Sequence, residues 1–111
     1  MQKVSFDDLI SKQYLGEIDV DIVGVGVVSL HQRSACEATD IINTANELKG
    51  DDLESFISTV ALEMVKGSAP TESEVLKFRD NVSAPGISAI YQKGLLFNDP
   101  VVENLEEAEK N

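Results

Sequence analysis

Cations are scarce in this chain: nine Lys and Arg stand against twenty Asp and Glu, a formal net charge of −11 over 111 residues. That balance argues against direct binding to a nucleic-acid backbone, where Lys and Arg must neutralise phosphates, and against docking on an anionic membrane surface. It favours solubility, and a partner with a basic face. A single cysteine, Cys36, excludes an intramolecular disulfide. No signal-peptide pattern opens the chain and no apolar run approaches about 18 residues, so a reducing cytosol is the expected setting. With one histidine, His31, the chain cannot assemble the N/S ligand set of a zinc site, even with Glu37 and Asp40 nearby. There is no Trp, and only four Phe and two Tyr, so the core must rest on Val, Ile, Leu and Ala.

What is present suits one compact domain, since 111 residues leave no room for a second useful core. The stretch "EIDVDIVGVGVVSLHQ" (residues 17–32) decides much of the reading. Glu17 to Ile22 alternates polar and apolar, the period of a strand with one wet and one buried face. β-Branched residues resume after the glycines, at Val25, Val27 and Val28 and on to Leu30, so the whole predicts a β-hairpin over about 17–30. The glycine pair resembles the start of a dinucleotide loop, but Ser29 occupies the third glycine position and the following residues are strand-like rather than helical. No Gly-Lys-Ser/Thr exists for a Walker loop. Gly24 and Gly26 are therefore read as turn residues.

Helices are expected on both sides of the hairpin. Ser5 is a candidate N-cap, with Asp7 and Asp8 in the first turn, Phe6, Leu9 and Ile10 at helical spacing, and Gly16 as terminator. After the hairpin, Ser29 with Gln32 resembles a capping box, followed by a stripe of Ala35, Ala38, Ile41, Ile42, Ala45 and Leu48 that Gly50 stops. Asp51 is expected to cap the next helix, with Glu54 at the third position. There Leu53, Phe56, Ile57, Val60, Ala61 and Met64 keep helical register without a miss, and Gly67 closes the segment. Thr71 to Glu74 forms another capping box, opening a helix with Val75, Phe78 and Val82. Ser83 caps a last helix, with Pro85 in its first turn and Ile87, Ile90, Tyr91 and Leu95 along it, ending near Phe97. The expected fold is α+β, mainly α: a short N-terminal helix and a hairpin, then a bundle of about four helices over about 31–97. Residues 1–98 form the domain and 99–111 an acidic, solvated, partly disordered tail, with a short partner-bound helix as the alternative.

No catalytic constellation emerges. Cys36 in its helical setting reads as a small buried apolar residue rather than a reactive thiol. Cys36 and His31 are five positions apart, roughly 500° of helical rotation at about 100° per residue, which separates their faces. Asp19 and Asp21 share one strand face and could hold a cation or move a proton, but a wet edge face explains them. Asp51 and Asp52 are helix-start residues. The chain is expected to be no enzyme and to hold no cofactor or metal.

The opening "DLISKQYLGEIDV", the turn "VGVG", a strand ending in "VSL" and a helical body finishing in "NLEEAEKN" resemble the small tail assembly chaperones of phage and prophage tail clusters. The resemblance implies a non-enzymatic cytoplasmic chaperone of the bacterial host, not retained in the mature virion. Such proteins coat the long tape measure protein, keep it soluble, help recruit tail tube subunits, and often self-associate. A helix-binding groove would suit that role, and the place to look is between the third and fourth helices, at Phe78, Val82, Ile90, Tyr91 and Phe97; the same residues also suit ordinary core. The competing reading is an acidic inhibitor that mimics nucleic acid and binds a host protein, which requires carboxylates arrayed on one surface.

Overall fold

The computed structural model describes residues 3–98; the tail expected over 99–111 lies outside them. Seven elements follow in order: α1 (Phe6–Ser11), β1 (Glu17–Ile22), β2 (Gly26–His31), α2 (Ala35–Glu47), α3 (Gly50–Lys66), α4 (Glu72–Asn81) and α5 (Ala84–Phe97). This is the α+β, mainly helical class that the pattern predicts.

The hairpin forms because its apolar residues fall on alternate positions. Val20 and Ile22 are buried and Ile18 is half-buried, while Glu17, Asp19 and Asp21 are exposed. The antiparallel register pairs Ile18 with Leu30 and Val20 with Val28, so the inward residues of both strands share one face. At the turn, Val25 N–H donates to the Ile22 carbonyl at 2.9 Å, and Gly24 sits at φ +85°, a conformation that costs a side-chain-bearing residue.

Pairing runs further than the pattern suggests. Ser29 does not cap a helix; its hydroxyl donates to Asp19 on the opposite strand. The ladder extends past His31, where Gln32 N–H donates to the Gly16 carbonyl at 2.8 Å. That bond also accounts for Gly16, which flanks the start of β1 instead of ending α1; α1 stops at Ser11. Helix α2 starts five residues later than a Ser29 cap implies, with Ser34 Oγ accepting from Glu37 N–H at 3.2 Å. At the next junction Asp51 is not the cap. Lys49 holds that position without a side-chain bond, and Gly50 at φ +59° makes the bend, leaving Asp51 and Asp52 in the first turn of α3.

The remaining boundaries follow the capping chemistry. Gly67, at φ +82°, closes α3 with its N–H on the Glu63 carbonyl. Thr71 and Glu74 form a reciprocal capping box at the start of α4. Ser83 Oγ accepts from Gly86 N–H at 3.1 Å at the start of α5.

One hydrophobic cluster joins β1, β2, α2, α3 and α5; Ile22, Leu30, Met64 and Ile90 are among its most enclosed side chains. Each such aliphatic burial stabilises by about 1.5–3 kcal/mol. The tightest approach lies where α3 crosses α5. A Cβ added at Gly94 would overlap Met64 Sδ and come within 3.2 Å of Met64 Cε, and Met64 is completely buried. The absent side chain at Gly94 is the space that Met64 fills.

In contrast, α1 buries nothing. Its cap is well formed, yet Phe6, Leu9 and Ile10 are 74%, 63% and 70% exposed. Among the described residues no helix is long and apolar enough to cross a membrane.

Gly94→Ala should destabilise the fold by about 1–3 kcal/mol through overpacking at Met64. In a Met64→Ala background the same change should cost little or stabilise, because the new methyl enters the vacated space and Ala outranks Gly in a helix by about 1 kcal/mol. Denaturant unfolding of the four proteins of this cycle measures the coupling.

Candidate functional site: an apolar groove between α2, α3 and α5

Helix α2 leans on α3, and no extensive contact joins it to α5. Its apolar stripe, Ala38, Ile41 and Ile42, is therefore only partly covered. Across the gap stand Leu95 and Leu96 near the end of α5, with Met64 of α3 between the two helices. The result is an open groove of about 550 Å³ with Gln92 and Asn98 also along it and, among the described residues, no charged side chain in its lining. Ile41 and Met64 are buried, whereas Ile42 is half exposed. The volume lies within the usual range of binding clefts, and the apolar lining favours an apolar occupant.

The α5 wall is fixed by a polar clasp at its C-terminus. Asn98 Oδ1 accepts from Arg33 N–H at 2.8 Å, and Asn98 Nδ2 donates to the Gly94 carbonyl at 2.7 Å. Gln32 reaches the same place: its Nε2 donates to the Phe97 carbonyl at 3.3 Å, and its Oε1 accepts from Gly16 N–H at 2.9 Å. The Gln32 bond satisfies the Phe97 carbonyl, which the helix end leaves without an intrahelical partner, and the Asn98 amide adds a second donor to a Gly94 carbonyl that already accepts Asn98 N–H at 3.2 Å. Arg33 extends the clasp to α3 through Glu63 Oε1 at 3.0 Å and also pairs with Glu37. The hairpin exit, α3 and the end of α5 are thus held together beside the groove.

The five residues singled out from the sequence do not share one surface. Ile90 and Tyr91 lie in the core, at 2% and 8% exposure. Burial raises the Tyr91 hydroxyl pKa. Phe78 and Val82 line a shallow trough between α3 and α4, beside Leu62. Phe97 packs near Gly16 at the far end of α5. At about 1.5 Å per residue, the 14 residues of α5 separate Val82 from Phe97 by about 20 Å. Pattern reading did not identify the wall of the groove, although the adjacent pair Leu95 and Leu96 carried a hint: neighbours about 100° apart on a helix widen its apolar face beyond a single stripe, and both are only partly buried against the core.

Other candidate chemistry is dispersed. Cys36 is exposed rather than buried, because it lies about 140° around α2 from Ile41, off the inward stripe. His31 belongs to β2; its ring lies over Gly67, and its Nδ1 is 3.9 Å from Glu17. Asp19 and Asp21 are exposed. Among the described residues no group of three or more His, Cys, Asp or Glu is placed to hold a metal.

One carboxylate on the α3–α4 trough is strongly perturbed. Lys66 Nζ lies 2.8 Å from Glu74 Oε1, and the Thr71 N–H donates to the same oxygen at 2.8 Å. The Lys66 bond, then the backbone bond, lower the Glu74 pKa from 4.5 to about 2. Comparison of the chain with family models, curated proteins and solved structures finds no match.

Because Glu74 is the stronger acid in the folded state, its contribution to stability is complete above pH 4.5 and is lost as pH falls toward 2. Glu74→Gln should therefore be less stable than the parent at pH 6, with the difference shrinking as unfolding is measured down to pH 2.

Proposed function

We propose that this chain is a non-enzymatic binding protein whose α2–α3–α5 groove receives the apolar stripe of a partner helix, and that it serves as a phage tail assembly chaperone with the tape measure protein as that partner. The observation that carries the reading is the groove itself: an uncharged apolar cleft on a chain of net charge −11. Helix-in-groove recognition needs apolar anchors at i, i+3, i+4 and i+7 on the incoming helix, and the walls formed by Ile42 and by Leu95 and Leu96 present the matching surface. The surrounding acids keep the complex in solution and favour a partner with basic flanks. Recruitment of tail tube subunits belongs to the same reading, as does action in the host cytoplasm before the virion is complete.

The role makes a definite demand on the groove. Ile42 is half exposed, so Ile42→Lys places its ammonium at the rim and should cost the isolated fold less than about 1 kcal/mol. Co-expression with a tape measure protein should keep that protein soluble. The Ile42→Lys variant, present at equal level, should lose most of this effect. A tape measure protein that precipitates equally with and without the chain contradicts the proposal.

A further inference from the structure

We infer that the groove also receives a segment of this same chain, supplied by a second copy: α1 of one protomer lays Phe6, Leu9 and Ile10 between α2 and α5 of its partner, and the exchange is reciprocal. The chain carries both halves of such a contact. The groove offers an uncharged apolar lining, and α1 is a capped helix whose three large apolar residues are all more than 60% exposed. Phe6, Leu9 and Ile10 stand at i, i+3 and i+4 and so occupy one face. Asp7 and Asp8 point to the opposite arc, and Lys12 pairs with Asp8 at 3.0 Å. The face that would enter the groove is thus as free of charge as the groove.

A second copy, rather than the arm's own body, is favoured by the connection. Lys12 leaves α1 in extended conformation. The link Lys12–Leu15 contains no Gly, Pro, Asn or Asp, the residues that tight reversals favour. Its four residues span at most about 14 Å when extended. The link is rooted at Gly16, which Gln32 clamps beside Phe97 near the end of the groove wall. An arm held out from that root can reach a neighbouring body, whereas folding back onto its own requires a turn this segment is poorly suited to make.

The area reaches the threshold for a specific contact. Three large side chains at these exposures present on the order of 400 Å² per arm, and two arms with the smaller groove surfaces they cover would bury roughly 1,000 Å², the lower bound for a specific interface and the size of a weak, concentration-dependent dimer. Two chains of charge −11 repel each other, so the contact should tighten as salt screens them. The inference shares the groove with the functional reading but does not require a tape measure protein, and its test uses the isolated full chain.

Because the chain has no Trp, Phe6→Trp gives a single tryptophan on the arm, excited selectively at wavelengths beyond the absorption of Tyr14 and Tyr91. Its emission should move to the blue as protein concentration rises from about 0.1 to 100 µM, in parallel with a change in mass from 12.1 kDa to twice that value. Adding Ile42→Lys should raise the concentration needed at least tenfold, with the helical circular dichroism unchanged. Phe6→Ser/Leu9→Ser/Ile10→Ser should be monomeric across the same range. Emission that is blue at every concentration would mean the arm folds onto its own body, and emission that never shifts would mean it docks nowhere. Either result, or a dimer that persists in the triple variant, overturns the inference. None of these outcomes bears on whether a partner helix uses the groove.

Discussion

Met64 and Gly94 set the geometry on which everything else rests. A completely buried thioether occupies the volume that a side chain at position 94 would need, so α3 and α5 cross at close range. Only glycine allows that approach, and Gly94 lies three residues before the end of α5. With α5 drawn in at this point, Leu95 and Leu96 flank the crossing and form a wall. Helix α3 meanwhile packs against β2 as well, which makes it the element that connects sheet and helices. Helix α2 leans on α3 without spanning to α5, and the uncovered distance is the groove. One missing side chain thus contributes both to the core and to the opening beside it.

Charge and polar bonding complete this arrangement without entering the groove. The clasp of Gln32, Arg33 and Asn98 fixes the helix end by bonding the Phe97 carbonyl and the Asn98 amide, and the Arg33 guanidinium is held by Glu37 and Glu63. An acidic chain needs such local pairing wherever its elements converge, because each unpaired carboxylate adds to the repulsion within the compact state. Among the described residues the groove lining and the outer face of α1 are uncharged, so apolar contact can be made there without first stripping water from a charge.

The elements that sequence pattern revealed were those governed by local chemistry. The capping box of Thr71 and Glu74, the Ser83 cap with Pro85 inside the first turn, the positive-φ stop at Gly67 and the six-residue stripe of α3 are short-range features written into adjacent residues. What pattern misplaced was decided by distant partners. Ser29 has the makings of a cap, but Asp19 across the sheet takes its hydroxyl; Gly16 has the makings of a terminator, but Gln32 holds it beside the start of β1. Cys36 lies in an apolar neighbourhood of sequence yet off the inward face of its helix. The groove was less legible still. Its residues come from three helices, and the placement of both Leu95 and Leu96 along it depends on the angle at which α5 crosses α3. Ile90 and Tyr91, chosen from sequence as possible contact residues, fall on the core side of that same crossing.

We propose the groove beside the α3–α5 crossing as the place where a partner helix binds. Amide hydrogen exchange on the full chain, with and without a helical segment of a tape measure protein, tests it most directly. New protection is expected over α2 from Ala38 to Ala45 and over the last turns of α5, with the α3–α4 trough and the exposed sheet face unchanged. Protection confined to the trough at Phe78 and Val82 or to the Asp19–Asp21 face, or no protection at all, would contradict it.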